Sequence, residues 1–334
     1  MKKIISLLMI AALLLAFSGC TKGGNSSDIS TGGGEGKKFS ANVLVVKGPS
    51  GIGMTPLMEK AAKGEAQLNY SFGAVAANDE IVAKIMSKEA DIAAVATNLA
   101  AILYKKTNGG IKVLAVSTLG AMSIVAKGVE IESIEDLRGK TVYSIGQGAN
   151  PEYILKYILS KNGLTAGVDV DVQFLSQSEE LVTTVITGDT AIVFAPEPVA
   201  TTITVKDSAA KIALDMNKEW NKVSDTGLVM GCVIVRSDYV NQNPKAVETF
   251  LKEYEESIKG ANSDVDATAA LCEKFEIIPA AAIAKKAIPN CNLVFQKGKE
   301  MKKEMSAYLT ILFGYSPASV GGELPDDAFY YEKK

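Results

Sequence analysis

Histidine is absent from the 334 residues. With it go the commonest general base, the imidazole that activates a nucleophile, and the commonest metal ligand. Cysteine is sparse as well: besides Cys20 the chain holds only Cys232, Cys272 and Cys291. That odd number without a CxxC spacing excludes the usual zinc and redox motifs. A Cys272–Cys291 disulfide suits an extracellular chain, and buried apolar thiols are the alternative, since free cysteine commonly behaves as a small core residue. The lone tryptophan, Trp220, stands in the polar connector NKEWNKVSD and reads as surface or lobe packing. No basic cluster with interleaved aromatics is present, which leaves nucleic acid without a surface to bind. Neither Gly-containing loop, GPSGIG at 48–53 or GQGAN at 146–150, is followed by Gly-Lys-Ser/Thr, so neither matches a Walker A motif. No metal or other cofactor is expected.

What is present begins at the first residues, MKKIISLLMIAALLLAFSGC. Lys2 and Lys3 precede an apolar run from Ile4 to Phe17 that is too short for a stable membrane span. Ser18 and Gly19 then open the backbone to a peptidase before Cys20. The stretch resembles a bacterial lipoprotein signal, with residues 1–19 as the signal peptide. The resemblance implies that the Cys20 thiol takes a diacylglycerol and that fatty acyl chains such as palmitate tie the mature chain to the outer face of the cell membrane. Residues 20–38 are Gly- and Ser-rich with almost nothing apolar, the composition of a flexible tether. The full chain carries a net charge of −3, and loss of Lys2 and Lys3 makes the mature chain more negative still.

From Phe39 onward, short β-branched runs alternate with helical patterns, which predicts an α/β fold with mostly parallel sheets. Strands are expected at 42–46, 68–72, 91–96, 111–117, 141–145 and 228–235, and helices at 55–63, 79–87, 98–105 and 133–138. A further helix has clear punctuation: Asn150 as cap, Pro151 in the first turn, Ile154, Leu155, Ile158 and Leu159 as the apolar stripe, and Asn162-Gly163 at the close. After Asn243-Pro244, Val247, Phe250, Leu251, Tyr254 and Ile258 share one helix face. Residues 81–100 (IVAKIMSKEADIAAVATNLA) and 181–200 (LVTTVITGDTAIVFAPEPVA) align without a gap at an offset of 100 positions. Each reads as helix, turn, apolar strand and new helix start. Thr97-Asn98 and Glu197-Pro198 thus occupy equivalent places, just past the carboxyl end of a core strand, where open α/β sheets bind ligands.

The candidate binding residues follow from that placement. Ser50, Gly51 and Ile52 offer loop amides and a hydroxyl; Asn78 offers a side-chain amide; Thr97 and Asn98 offer a hydroxyl and an amide. Gln147, Ala149 and Asn150 form the corresponding group in the second half. Helix N-termini favour an oxyanion without lysine or arginine. Glu197 instead accepts a hydrogen bond from an amine or ring N–H and repels a bare anion. Each has a plainer reading: glycines for tight turns, Thr97, Asn98 and Asn150 as helix caps, Glu197 as a carboxylate serving its own helix dipole. Phe194 belongs to the core.

Together NVLVVKGPSGIGMTPLME, SIEDLRGKTVYSIGQGANPEYILKYIL, ADIAAVATN and TAIVFAPEP resemble a solute-binding lipoprotein of an ABC importer. The resemblance is to the type II periplasmic-binding-protein fold, in the nitrate/sulfonate/taurine and thiamine-precursor group. It covers residues 40–331. It implies two α/β lobes, 39–122 with 230–334 and 123–229, joined by two crossing strands near 121–127 and 227–233 that act as a hinge. It also implies a monomer that captures a small polar or anionic organic solute, sulfonate- or taurine-like or thiamine-pyrimidine-like, and presents it to ABC permease and ATPase subunits. A surface sensor with the same fold is the alternative. A fold-related enzyme of pyrimidine or thiamine metabolism is disfavoured, because such enzymes depend on the histidine this chain lacks.

Overall fold

The β-branched runs of the sequence become strands because their side chains are buried on both faces, as in Ile92–Ala96, where four of the five residues are fully inaccessible. The computed structural model describes residues 38–333 apart from residue 77. The expected signal peptide, the Cys20 lipidation site and nearly all of the tether therefore lie outside the described residues. The first part of the chain runs β1 (Ser40–Val46), α1 (Pro49–Ile52), α2 (Thr55–Ala62), β2 (Asn69–Val75), α3 (Asn78–Met86), β3 (Ile92–Ala96), α4 (Thr97–Lys106) and β4 (Ile111–Thr118). Then follow β5 (Met122–Lys127), β6 (Thr141–Ser144), α5 (Asn150–Lys161), β7 (Asp171–Phe174), α6 (Ser178–Thr187), β8 (Ala191–Pro196), α7 (Val199–Lys206), β9 (Lys211–Asp215) and α8 (Met216–Val223). The chain ends with β10 (Gly231–Arg236), α9 (Ser237–Gln242), α10 (Pro244–Ser263), α11 (Val265–Lys274), α12 (Ala281–Ala287), β11 (Leu293–Gln296) and α13 (Gly298–Tyr315).

Two sheets result, ordered β11-β4-β10-β3-β1-β2 and β7-β6-β8-β5-β9. This is the expected α/β architecture of two sheets, with one difference: the sheets are mixed. The β1, β2 and β3 pairings are parallel, as are those of β6 with β7 and β8, but β10 runs antiparallel to β3 and β4, and β5 antiparallel to β8 and β9. The physical reason lies in the connections. Strands joined by a helical crossover within one sheet run parallel, whereas β5 and β10 arrive directly from the other sheet and run against their neighbours. The passages are short, 119–121 between β4 and β5 and 224–230 between α8 and β10. Residues 228–230 belong to the second passage and not to the expected strand. The helix expected at 133–138 shrinks to a 3₁₀ turn, Glu135–Leu137.

The offset of 100 positions holds in three dimensions. α3-β3-α4 and α6-β8-α7 occupy corresponding places: β3 lies between parallel β1 and antiparallel β10, and β8 between parallel β6 and antiparallel β5. Under the first sheet, α10 buries the face read from its periodicity, Val247, Phe250, Leu251, Tyr254 and Ile258. The same helix carries a buried carboxylate, Glu253, which accepts hydrogen bonds from Gln67 N and Tyr70 Oη, both at 2.9 Å. Phe194 is in the core, as expected.

Of the two readings, surface or lobe packing, Trp220 shows packing. It is fully buried, packed against Tyr157 and Tyr308 at ring separations of 4.5 and 5.7 Å, and its Nε1 donates to Thr226 O at 2.7 Å. A tryptophan with polar neighbours can be buried here because α8 turns Lys218, Asn221 and Lys222 outward and Met216 and Trp220 inward, one helical turn apart, with Glu219 beside them also buried. Cys232, Cys272 and Cys291 are buried free thiols, the second of the two readings. Trp220→Ala should cost about 3–5 kcal/mol through the cavity it leaves. Trp220→Phe should cost about 1 kcal/mol plus repacking for the lost Thr226 bond. Urea unfolding measures both, and an unchanged midpoint for Trp220→Ala would show that the aromatic contact is not structural.

Candidate functional site

The equivalent turns after β3 and β8 are held in the same way. Thr97 N donates to Met230 O at 3.0 Å, and Glu197 N donates to Ala121 O at 2.9 Å. Each acceptor is the residue just before an incoming antiparallel strand, Met230 before β10 and Ala121 before β5. The two passages touch directly, since Ala121 N lies 3.3 Å from Met230 Sδ in donating geometry. Thr97 and Glu197 are therefore fixed at the two ends of one chain of contacts, Thr97–Met230–Ala121–Glu197.

On the first-sheet side the polar groups are hydroxyls. Thr97 is fully buried at the start of α4, with Ala96 as the N-cap, and its Oγ1 has no hydrogen-bond partner among the described residues. Ser117 Oγ, Thr118 Oγ1 and Tyr254 Oη are likewise buried and lack a well-formed hydrogen bond among the described residues, with the Ser117 and Tyr254 hydroxyls near one another. A methyl group placed on Gly231 would stand 3.0 Å from Ser50 Oγ and 3.1 Å from Thr118 Oγ1, so this glycine permits the close approach of α1 to the strand ends. Leaving a buried hydroxyl unpaired costs about 1–3 kcal/mol, so these are the groups able to donate to or accept from a bound molecule or water.

On the second-sheet side stand an amide and a carboxylate. Asn150 is the first residue of α5, Ala149 is the N-cap, and the side chain caps nothing: Asn150 Oδ1 is buried and unpartnered. Glu197 is only 2% exposed. Its Oε2 accepts from Thr201 N and its Oε1 from Asn290 Nδ2, both at 3.2 Å. Thus Glu197 serves its own helix with one oxygen and reaches a segment beside the first sheet with the other. Burial pushes its carboxyl above the usual 4.5, against the opposing pull of the Thr201 and Asn290 bonds. Among the described residues no lysine or arginine pairs with it.

The remaining candidates are placed less centrally. The amides of Gly51 and Ile52 donate to Gly48 O, and that of Ala149 donates to Gly146 O, so these are engaged in their own turns. Ile52 is core. Asn78 and Gln147 are exposed, and Asn98 is half-buried. The structure brings together Ser50 and Thr118 around Gly231, and ties Thr97 and Glu197 to the passages. The sequence reading missed Ser117, Thr118, Tyr254 and Asn290. The first two end β4 and read as strand, Tyr254 reads as core, and Asn290 joins the site only through long-range packing. The buried thiols are held protonated: burial raises Cys232 and Cys272 to about 12, and burial together with the nearby Glu197 carboxylate pushes Cys291 well above the ordinary thiol range. A wide depression of about 1250 Å³, lined by Lys112, Pro244, Glu248 and Tyr331 among others, lies apart from all these residues.

Residues 64–279 match the family described as ABC transporter, phosphonate, periplasmic substrate-binding protein. No curated protein matches the chain. Among solved structures, an ABC transporter protein from Parabacteroides distasonis superposes with a TM-score of 0.76 at 23% identity, covering 89% of this chain and 100% of its own. The periplasmic aliphatic sulphonate binding protein SsuA from Escherichia coli gives 0.68 at 14% identity, covering 88% of this chain and 94% of its own. The periplasmic nitrate-binding protein NrtA from Synechocystis gives 0.61 at 15% identity over 85% of this chain and 84% of its own. At these identities the structural likeness is one of fold.

The carboxyl of Glu197 makes a signed statement about pH. With its folded-state value above 4.5, the folded protein binds this proton more tightly than the unfolded chain, so its contribution to stability falls as pH rises through that window. Glu197→Gln removes the titration. The melting temperature of the variant relative to wild type should therefore climb from pH 4.5 toward neutrality, and a pH-independent difference would show that burial does not raise this group.

Proposed function

The chain belongs to the periplasmic phosphonate substrate-binding protein family of ABC transporters, and from that premise we propose that it captures a small organic solute with a tetrahedral oxyanion at one end and a hydrogen-bond donor at the other. The function is that of the extracytoplasmic substrate-binding component of such a transporter, serving its permease and ATPase. The observation that carries the solute reading is the polarity of the two turns. Hydroxyls at Thr97, Thr118 and Ser50 stand on the first-sheet side, while carbonyl and carboxylate oxygens of Asn150 and Glu197 stand on the second.

Hydroxyls donate to oxyanion oxygens without bringing charge, and Asn150 Oδ1 and Glu197 can only accept unless Glu197 is protonated. A bare inorganic anion satisfies the first set and is repelled by the second. A phosphonate or sulfonate bearing an amine satisfies both, which fits the phosphonate family and the sulfonate- and taurine-like solutes expected from the sequence. The remaining candidates, Gly51, Ile52, Asn78, Asn98, Gln147 and Ala149, form the rim in this reading. Residues 39–122 with 230–334 act as one lobe and 123–229 as the other, closing about the passages. The protein works as a monomer, by binding and without catalysis.

The anchor belongs to the same proposal. Cys20 behind its apolar run supports cleavage after residue 19, acylation of the thiol and a tether through residue 38 that keeps the protein at the outer membrane surface near its permease. Cys20→Ala should abolish incorporation of a fatty-acid analogue in growing cells, and equal labelling of the variant would rule the lipidation site out.

Loss of a buried charge-assisted hydrogen bond costs about 1.5–3 kcal/mol, so Glu197→Ala should weaken binding of an amine-bearing solute roughly tenfold to a hundredfold. Calorimetry with 2-aminoethylphosphonate and taurine measures it. Wild-type affinity in a folded variant would confine Glu197 to its own helix and remove the donor end from the solute.

A further inference from the structure

We propose that Asn290 is a positioning residue of the solute site, holding the Glu197 carboxylate from the first-sheet side and so setting how much of it a solute donor can reach. The inference deepens the reading of Glu197 given above and rests on it. Asn290 closes the 3₁₀ turn Ile288–Asn290, three positions before the start of β11 of the first sheet, yet its amide donates at 3.2 Å to a carboxylate just past the end of β8 in the second. The same segment also grips the first passage. Asn292 O accepts from Leu119 N at 3.0 Å, Asn292 Nδ2 donates to Gly120 O at 2.5 Å, and Asn292 adopts φ +45°, a left-handed conformation that asparagine tolerates. Between the two asparagines, Cys291 is buried and its thiol donates to Ala287 O, so the segment is anchored along its length.

Other links between the elements of the two sheets are of a different kind. Tyr308 of α13 packs on Trp220 of α8, and the exposed hydroxyls of Tyr315 and Ser160 meet at 2.8 Å. Asn290 to Glu197 is the polar link at the strand ends, where the candidate site lies. Its consequence follows from donor counting. Thr201 holds the carboxylate from its own helix, with its amide on one oxygen and its hydroxyl nearby, and Asn290 holds the other oxygen; all are neutral donors, so the carboxylate plane is fixed while its charge stays uncompensated. A solute ammonium supplies that charge at the lone pairs left over. Without Asn290 the carboxylate is free to rotate about its own helix, and the preference for an amine-bearing solute over its amine-free counterpart should shrink.

The test uses the purified protein with Asn290→Ala and the isosteric Asn290→Asp. The first readout needs no solute: the Glu197 carboxyl is titrated by carbon-13 NMR. Its midpoint should rise in Asn290→Ala, which loses a donor to the charged form, and rise further in Asn290→Asp, which adds a facing carboxylate. Cys291, the titratable neighbour on the same segment, stays protonated throughout. The second readout is calorimetry with two pairs of probes, taurine with ethanesulfonate and 2-aminoethylphosphonate with ethylphosphonate. For the pair that wild type binds, Asn290→Ala should cut the preference for the amine-bearing member by about tenfold, one charge-assisted bond's worth, while the amine-free affinity holds. A Glu197 midpoint identical in all three proteins overturns the proposal, as does an unchanged preference. A wild-type protein that binds none of the four probes defeats the solute class alone, and the titration then decides Asn290.

Discussion

Two short passages between the sheets, 119–121 and 224–230, are the constraint on which the rest of the structure depends. Because β5 and β10 each enter a sheet from the other side, they run antiparallel to β8 and β3 and finish the pairing those strands leave open. The residue before each entering strand then presents its carbonyl to the turn that follows the facing strand. Thr97 N and Glu197 N are the groups that fill those carbonyls. One backbone rule, that buried N–H and C=O groups must be paired, thus brings two helix starts a hundred positions apart to a common seam.

Chemistry at that seam is shaped by what the chain lacks. Among the described residues no cation is bonded to Glu197, and under the proposed reading charge on a solute is met by neutral hydroxyls, amides and helix starts on one side and by a buried carboxylate on the other. Such a site discriminates by counting donors and acceptors rather than by attracting net charge. Hydroxyls and amides lose less in leaving water than ammonium or guanidinium groups do, so a site built of them can stay buried while empty. The raised Glu197 carboxyl is the one place where that economy fails, and its two neutral donors limit the failure.

How much of this was legible beforehand depended on whether the signal was local. The offset between 81–100 and 181–200 was legible because apolar strands and helix starts leave periodic marks, and it led directly to Thr97 and Glu197. The α10 stripe and the buried Phe194 were legible for the same reason. Trp220 was legible only as one of two alternatives, surface or packing, since a polar neighbourhood in sequence says nothing of which neighbours share its helix face. The parallel sheets were over-read because a direct entry from another sheet looks, in sequence, like any other strand. For Asn150 the residue type allows both a cap and a binding group, and the backbone makes Ala149 the N-cap, which rules out the first. The amides of Gly51 and Ile52 were open to a ligand on paper but are used by Gly48 O within their own turn. Asn290 carried no signal at all: ninety-three positions separate it from Glu197, and only the packing of α12 against α7 joins them.

The central claim is that the two sheets close over a solute about these passages, a hinge motion of the kind that compacts a protein when its ligand binds. Small-angle scattering of the purified protein, free and then saturated with the solute recovered from it by native mass spectrometry, tests that claim most directly. A smaller radius of gyration in the saturated protein is the expected result; superimposable curves at saturation would contradict the account.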